Sequence, residues 1–413
     1  MSDDPTLAAV RLFVLLLAAA TGVVYVAHWL RVPSSVALVL FGLGVAAVAP
    51  GLHVDVGPQL LLSVLLPGLV FEAAYQTDLR ELRQTFGGVV LLAVPGVVIS
   101  AAIVAAVLHL ATGLALGSAF LVGAMVSATD PAAVIATFKR FRVPGRLHTL
   151  VESESLFNDG TGIVIFAIAL QAMGGHVTLV GGVLAFGFTV VASAAIGVAA
   201  GLIGSRLMAW QDDHLIQLAI SAVLAYGTYL LADAAQASGV IATVAAGMTL
   251  GSSGRPRDLD GRERQALDTV WEFVAFVLTA FAFLLIGLAI PLGQLAAAAS
   301  WVAWGLLAVV GGRALVIYGL LAGASRLRRA RDGPILPGAW LHVIFWSGLR
   351  GAVSMALALS LPADLPDRGL IQGITFGIVV CTLLVQGLTV EPLARRLGLL
   401  DEGLEPGARA AVA

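Results

Sequence analysis

Four carboxylates, Asp130, Glu152, Glu154 and Asp159, fall in one stretch running from Ser127 to Gly160, and apolar segments of hydrocarbon length surround them. An acidic side chain at the centre of a bilayer costs about 2.5 to 3.5 kcal/mol on insertion scales. A penalty repeated so often in one place points to function. On a helix Ser155 and Asp159 are four residues apart and share a face, and Glu154 and Asn158 share the adjoining one. The Asp159 carboxylate and the Ser155 hydroxyl are hard oxygen ligands of the kind an alkali cation prefers. The same oxygens can take a proton instead, so one group can exchange one ligand for the other. Asn158 supplies an amide where a second acid would add another charge.

The remaining charges at depth need partners. An ionised Glu154 without a cation would be strongly unfavourable, and Arg313 and Arg350 are the cations at depth beyond the N-terminal segment. Arg313 is the expected partner, with Arg350 the second choice, and a structural ion pair is the plain reading. Glu72, within LPGLVFEAAYQTDLRELR, reads equally as a proton relay or as an acid reaching for the interface. Glu272 beside Trp271 reads as an interfacial anchor. Glu152 reads as a solvated charge near a helix end. The seven histidines lie mostly at segment ends with no metal-ligand spacing, and the lone Cys381 makes neither a disulfide framework nor a metal cluster. No phosphate-binding glycine pattern favours an ATP-driven pump, and no G-x-S-x-G or Ser and His pair favours an intramembrane hydrolase. Neither an enzyme, a resident cofactor nor a nucleic-acid partner is expected.

Composition supplies the solvent in which these groups act. Of 413 residues 59% are hydrophobic and 12% carry a formal charge, about half the roughly 25% usual for soluble domains. The chain therefore reads as an all-α polytopic membrane protein. Apolar runs long enough to cross about 30 Å of hydrocarbon fall near residues 7–28, 33–50, 58–76, 86–110, 114–138, 147–172, 177–208, 214–234, 238–251, 264–290, 295–325, 339–361 and 369–394. That makes thirteen. The break between the eighth and ninth rests on little more than Ala237, Ser238 and Gly239. The acidic start MSDDPT is unlike a secretory signal, so the first run is kept as a span. One membrane domain covers residues 1–396, followed by a short tail, 397–413, whose Gly, Ala and Arg content reads as disordered.

Loop charge tests the count. Connections after odd-numbered segments carry Arg31; Arg80 and Arg83; Lys139, Arg140, Arg142 and Arg146; Arg206; Arg255, Arg257, Arg262 and Arg264; and Arg326, Arg328, Arg329 and Arg331. Those after even-numbered segments carry only Arg368. Because cytoplasmic loops hold the excess of Arg and Lys, the N-terminus is expected outside and the C-terminus inside.

Two segments should be broken. Pro131, beside Thr129 and Asp130 in the middle of the fifth, removes a donor and clashes with the preceding turn. In the twelfth, Ser347, Gly348, Leu349, Arg350 and Gly351 form a glycine-flanked weak point that carries a cation. If six segments form a unit and the seventh links it to a second of opposite topology, both breaks are fifth in their units. That is the crossing arrangement of secondary transporters, with a site at the bilayer midplane. Asp130 can then neutralise half-helix N-termini, and Arg350 C-termini.

Together, SATDPAAVIATFK, VESESLFNDGTGIVIF, GRALVIY from Gly312 and SGLRGAVSMALALSLP from Ser347 resemble the monovalent cation:proton antiporters of the NhaP and eukaryotic NHE type. The resemblance covers nearly all thirteen segments. It implies a homodimer in which a core, about 86–172 and 295–394, moves against a dimerisation scaffold, about 7–76 and 177–290. It implies that Asp159 carries the ion or proton, that Ser155 and the Thr129 carbonyl help to hold Na+, and that Glu72 and Asp130 line the site. It also implies that Asn158 and Asp159 form the Asn-Asp pair of the electroneutral branch, and that Glu154 pairs with Arg313. Ser153 stands where Gly is common and Thr279 where Asn is frequent; the latter leaves the role of the tenth segment open. The resulting expectation is one-for-one exchange of Na+ or Li+ for H+ at a cell (inner) membrane. K+/H+ exchange is the alternative within the class, and a passive cation channel the alternative outside it.

Overall fold

The computed structural model describes residues 5–30, 32–49, 57–141, 143–175, 178–253, 261–290, 292–329 and 336–400. Arg31, Arg142, Arg255, Arg257, Arg331 and the tail from residue 401 lie outside the described residues, so the expectations placed on them are not met by any structural observation.

Among the described residues every regular element is helical. The first group runs α1 (Pro5–Leu30), α2 (Ser34–Val48), a π-turn over Leu60–Leu65 leading into α3 (Leu66–Gln76), α4 (Leu79–Leu91), a π-turn over Leu92–Gly96 and α5 (Val97–Thr112). Next come α6 (Leu116–Met125), α7 (Ala132–Arg140), α8 (Gly145–Met173), α9 (Leu179–Ala209), α10 (His214–Ala234), α11 (Gly239–Ser253) and α12 (Gly261–Ala289). The last are α13 (Leu292–Ala297), α14 (Ala299–Ala314), a π-turn over Leu315–Leu321, α15 (Ala322–Arg329), α16 (Gly338–Trp346), α17 (Ala352–Leu359) and α18 (Arg368–Arg396). Helix falls on all thirteen apolar segments. By length and composition eight helical stretches suffice to cross a membrane, and shorter apolar helices such as Ser34–Val48 and Gly239–Ser252 accompany them.

Local chemistry explains the boundaries, including two that differ from expectation. The fourth segment becomes helical at Leu79, not near residue 86, because the Asp78 carboxylate accepts from the backbone N–H groups of Arg80 and Glu81 and so caps the helix. Arg80 and Arg83 therefore sit on the first turns of a helix rather than in a loop. Pro95 does not end that helix; the chain absorbs the missing donor in the Leu92–Gly96 π-turn. The eleventh segment is not continuous from residue 295, since α13 and α14 meet at a bend at Ala298. The break between α10 and α11 is real. Gln236 adopts a left-handed φ of 56°, and the Ser193 hydroxyl accepts from the Ser238 N–H.

Glycines let helices touch backbone to backbone, which matters where lipid tails offer no hydrophobic drive for association. A Cβ on Gly42 of α2 would stand 2.6 Å from the Leu284 carbonyl oxygen and 2.9 Å from Gly287 Cα of α12. On α9, Gly201 likewise faces Thr249 and the Ala246 carbonyl of α11. The core runs through α5, α6, α8, α14, α17 and α18, with Leu121, Met125, Leu150, Ile344, Met355 and Phe376 fully buried. Leu15 and Tyr25 of α1 and Phe188 and Val191 of α9 point outward.

Candidate functional site

Two interrupted helices meet near the middle of the bundle. α6 stops at Met125 and α7 starts at Ala132; α16 stops at Trp346 and α17 starts at Ala352. The two gaps cross and bond to each other. The Asp130 N–H donates to the Leu349 carbonyl at 2.8 Å, and the Ser354 hydroxyl donates to the Met125 carbonyl at 2.7 Å. Two helix N-termini and two helix C-termini therefore converge on one region, as inverted repeats with crossing broken helices require.

Each of those four ends has a formal charge of the opposite sign. Asp130 Oδ1 accepts from the Ala132 N–H at 3.0 Å, and its Oδ2 accepts from the Ala352 N–H at 3.3 Å, so one carboxylate serves the N-termini of α7 and α17. A Cβ on Gly351 would overlap that carboxylate, which is why only glycine fits there. Arg350, 1% exposed, donates from Nη1 to the carbonyls of Ser127 at 2.9 Å and Ala128 at 3.1 Å, just past the C-terminus of α6. Arg313 Nη2 donates to the Ile344 carbonyl at 2.8 Å, near the C-terminus of α16. Partial charges of about half a unit at helix ends are thus offset in the interior.

Glu154 and Arg313 form a bidentate ion pair; the Nη2 to Oε2 bond is 2.9 Å and Nη1 donates to Oε1. The glutamate is 2% exposed and the arginine 6%. Arg350, named as the second possible partner of Glu154, is corrected by the structure. Its guanidinium faces main-chain carbonyls, and the Arg350 backbone N–H donates to Thr382 Oγ1 at 3.2 Å. The reason is local: a gap that ends a helix exposes carbonyls that need a donor more than Glu154 does once Arg313 holds it.

The long helix α8 is pinned to the first gap. Thr129 N–H donates to Asn158 Oδ1 at 3.1 Å, Asn158 Nδ2 donates to Thr129 Oγ1 at 2.7 Å, and the Ser155 hydroxyl donates to the Thr129 carbonyl. Asn158 therefore holds the unwound backbone in place by both ends of its amide. Ser155 and the Thr129 carbonyl therefore lie together.

Asp159 is the exception among these charges. No hydrogen bond or ion pair reaches its carboxylate among the described residues, and it lines a cavity of about 370 Å³ with Thr129, Asp130 and Ser155. One wall of the cavity comes from α7, α8 and α17. The other comes from α2, α3 and α12, and includes Glu72, Glu272 and Thr279. Along α7 the lining residues Ala132, Ile135, Ala136 and Lys139 share one face, and along α8 so do Glu152, Ser155, Leu156 and Asp159. Lys139 stands in the last turn of α7 and Glu152 seven residues into α8, so the outer level of the cavity lies toward the basic α7–α8 connection.

Glu152 and Lys139 are residues that reading along the chain assigned elsewhere, Glu152 to bulk solvent and Lys139 to a loop. Their spacing from Asp159 and Ala132, seven residues in each case, is the signal that places them on the cavity faces. Glu152 also contacts His148 Nδ1 at 3.6 Å.

Residues 13–396 match the family described as "Sodium/hydrogen exchanger, transmembrane". The chain belongs to that family. Among sodium/hydrogen exchanger relatives, the Na+/H+ antiporter ApNhaP of Aphanothece halophytica is 39% identical over 380 residues, which is 90% of this chain and 71% of the relative. The Na+/H+ antiporter NhaH of Halobacillus dabanensis is 33% identical over 400 residues and is covered over 97% of its length. The fold matches that of the sodium proton antiporter MjNhaP1 from Methanocaldococcus jannaschii at pH 8, with a TM-score of 0.78 at 20% identity, over 95% of this chain and 99% of that one. This exchanger is accordingly a multi-pass membrane protein.

Proposed function

We propose that the chain exchanges Na+ or Li+ for H+ one for one, by competition of the two ligands at Asp159. The observation that carries this reading is the charge balance of the buried region. Asp130 is held between two helix N-termini, Arg350 at a C-terminus, and Arg313 is neutralised by Glu154 while it serves another C-terminus. At the floor of the cavity, beside the crossing, Asp159 is the carboxylate that no hydrogen bond or ion pair holds among the described residues. One carboxylate that holds either one monovalent cation or one proton carries the same net charge in both directions, which makes the cycle electroneutral. Ser155 and the Thr129 carbonyl complete the cation's oxygen shell, while Asp130 lines the floor and keeps the crossing together.

The cavity walls support alternating access. Core helices α7, α8 and α17 face the scaffold helices α2, α3 and α12, so sliding one group past the other would close the cavity on one side and open it on the opposite side. The arginine distribution supports a cytoplasmic C-terminus and an external N-terminus, hence a cavity open to the cytoplasm in this state. A homodimer in the cell membrane follows from the family resemblance.

In proteoliposomes a pH gradient is expected to drive Na+ flux that clamping the voltage with valinomycin and K+ leaves unchanged. The D159N variant should lose it. Lowering the pH should raise the apparent KM for Na+ with Vmax retained, approaching tenfold per pH unit once the protonated carboxyl predominates. A voltage-sensitive flux, or an active D159N, would overturn the proposal.

A further inference from the structure

The cavity charges stand in two levels. Asp130 and Asp159 form the floor. Lys139 lies seven residues along α7 from Ala132, nine from Asp130, and Glu152 lies seven residues before Asp159 on α8, so both stand about 10 Å above the floor at 1.5 Å per residue. Lys139 is the only lysine in the chain. Its neighbour Arg140 is engaged elsewhere, 3.8 Å from Glu391 and over the Phe141 ring. Lys139 is exposed and, among the described residues, stands in no ion pair, and the other charges at this level are Glu72, Glu152 and Glu272.

From this geometry we infer that Lys139 is an electrostatic determinant of cation affinity on the arginine-rich side: a tethered ammonium that an entering Na+ must pass and against which it binds. The inference rests on the exchange function proposed above. On the α7 face of the cavity this charge stands at the outer level, seven residues from Ala132. The surrounding glutamates attract cations, and the lysine cancels part of that attraction, so the vestibule does not hold Na+ more tightly than the site it feeds. On the other side of the crossing no equivalent charge is displayed by α7, whose face toward the cavity ends at Ala132. Lys139 therefore acts on one face of the membrane only. Lys139 and Arg140 both stand in the last turn of α7, where each can offset the C-terminal partial charge, but of the two it is Lys139 that lines the cavity.

A unit charge about 10 Å away changes a cation's binding by roughly two- to fifteenfold between bulk-water screening and the effective dielectric of a protein surface. The test is the apparent KM for Na+ in everted vesicles, which present the cytoplasmic face, and in right-side-out vesicles, with choline chloride holding ionic strength. K139Q should lower KM by roughly two- to fifteenfold in everted vesicles only, and K139E by more. K139R should match the wild type, and the difference should shrink as choline chloride is raised, since screening lengths fall to about 3 Å at 1 M. Equal KM values for K139Q and K139R, an equal change on both faces, or a change indifferent to ionic strength would overturn the inference. Calorimetric binding to the detergent-purified protein, with Na+ and then K+ as the probe, reads the same ratio without transport. A wild-type protein that binds a cation but exchanges none defeats the exchange function, while the K139Q to K139R ratio still decides the role of Lys139.

Discussion

Replacing the Glu154–Arg313 pair tests whether it is scaffolding or machinery, and the structure sets the magnitudes. Removing one member of a buried, bidentate pair leaves an uncompensated ion in the interior, at a cost of about 3–5 kcal/mol. E154L strands Arg313, which keeps only the Ile344 carbonyl, and R313L strands Glu154, while that carbonyl keeps the Ser347 hydroxyl. The double variant E154L/R313L removes both charges. It leaves the Ile344 carbonyl with the Ser347 hydroxyl as its remaining donor, so the lost Arg313 bond costs less than the about 1–3 kcal/mol of a fully orphaned carbonyl. The double variant should therefore be more stable than either single one, with a coupling of about 2 kcal/mol or more. Apparent melting temperatures in detergent give the ranking. Na+/H+ exchange in proteoliposomes gives the second readout, in which the double variant keeps a KM for Na+ within twofold of wild type. A double variant no more stable than the worse single variant would refute the reasoning. So would a stable double variant that has lost exchange, since the pair would then act in transport.

Two further substitutions address the crossing. G351A places a Cβ on the Asp130 carboxylate and should displace it from the α17 N-terminus, with exchange lost and protein yield reduced; activity near that of the wild type would show that Asp130 need not hold both helices. N158A leaves the Thr129 N–H without its acceptor, about 1–3 kcal/mol in a buried setting, and should lower thermal stability and weaken Na+ binding together; a melting temperature equal to wild type would count against the clamp.

Reading along the chain located both gaps, because Pro131 and the glycines flanking Leu349 and Arg350 interrupt apolar runs that otherwise have no reason to break. It also assigned Asp130 and Arg350 to opposite helix ends, since the sign of the end dictates the sign of the partner. What it missed depends on distant packing. Glu152 looks solvated when judged by its own helix; it becomes part of a cavity only because α3 and α12, remote in the sequence, form the facing wall. Pro95 looks like a break of the same kind as Pro131, yet a π-turn absorbs it. The difference is that no charged residue and no crossing helix stabilises an opening there. Arg80 and Arg83 were placed in a loop because charge was read as solvent, although Asp78 three residues earlier than Glu81 is the capping signal that starts a helix.

The Asp130 carboxylate joins two chain segments that leave the ribosome far apart in time. Ala352 follows Asp130 by 222 residues, which at 5–20 residues per second is about 10–45 s of synthesis. During that interval the nascent first half carries its acid with one helix end to hold it and no second. Insertion of that half must precede completion of its own binding floor, so assembly of the exchanger waits on the synthesis of α17.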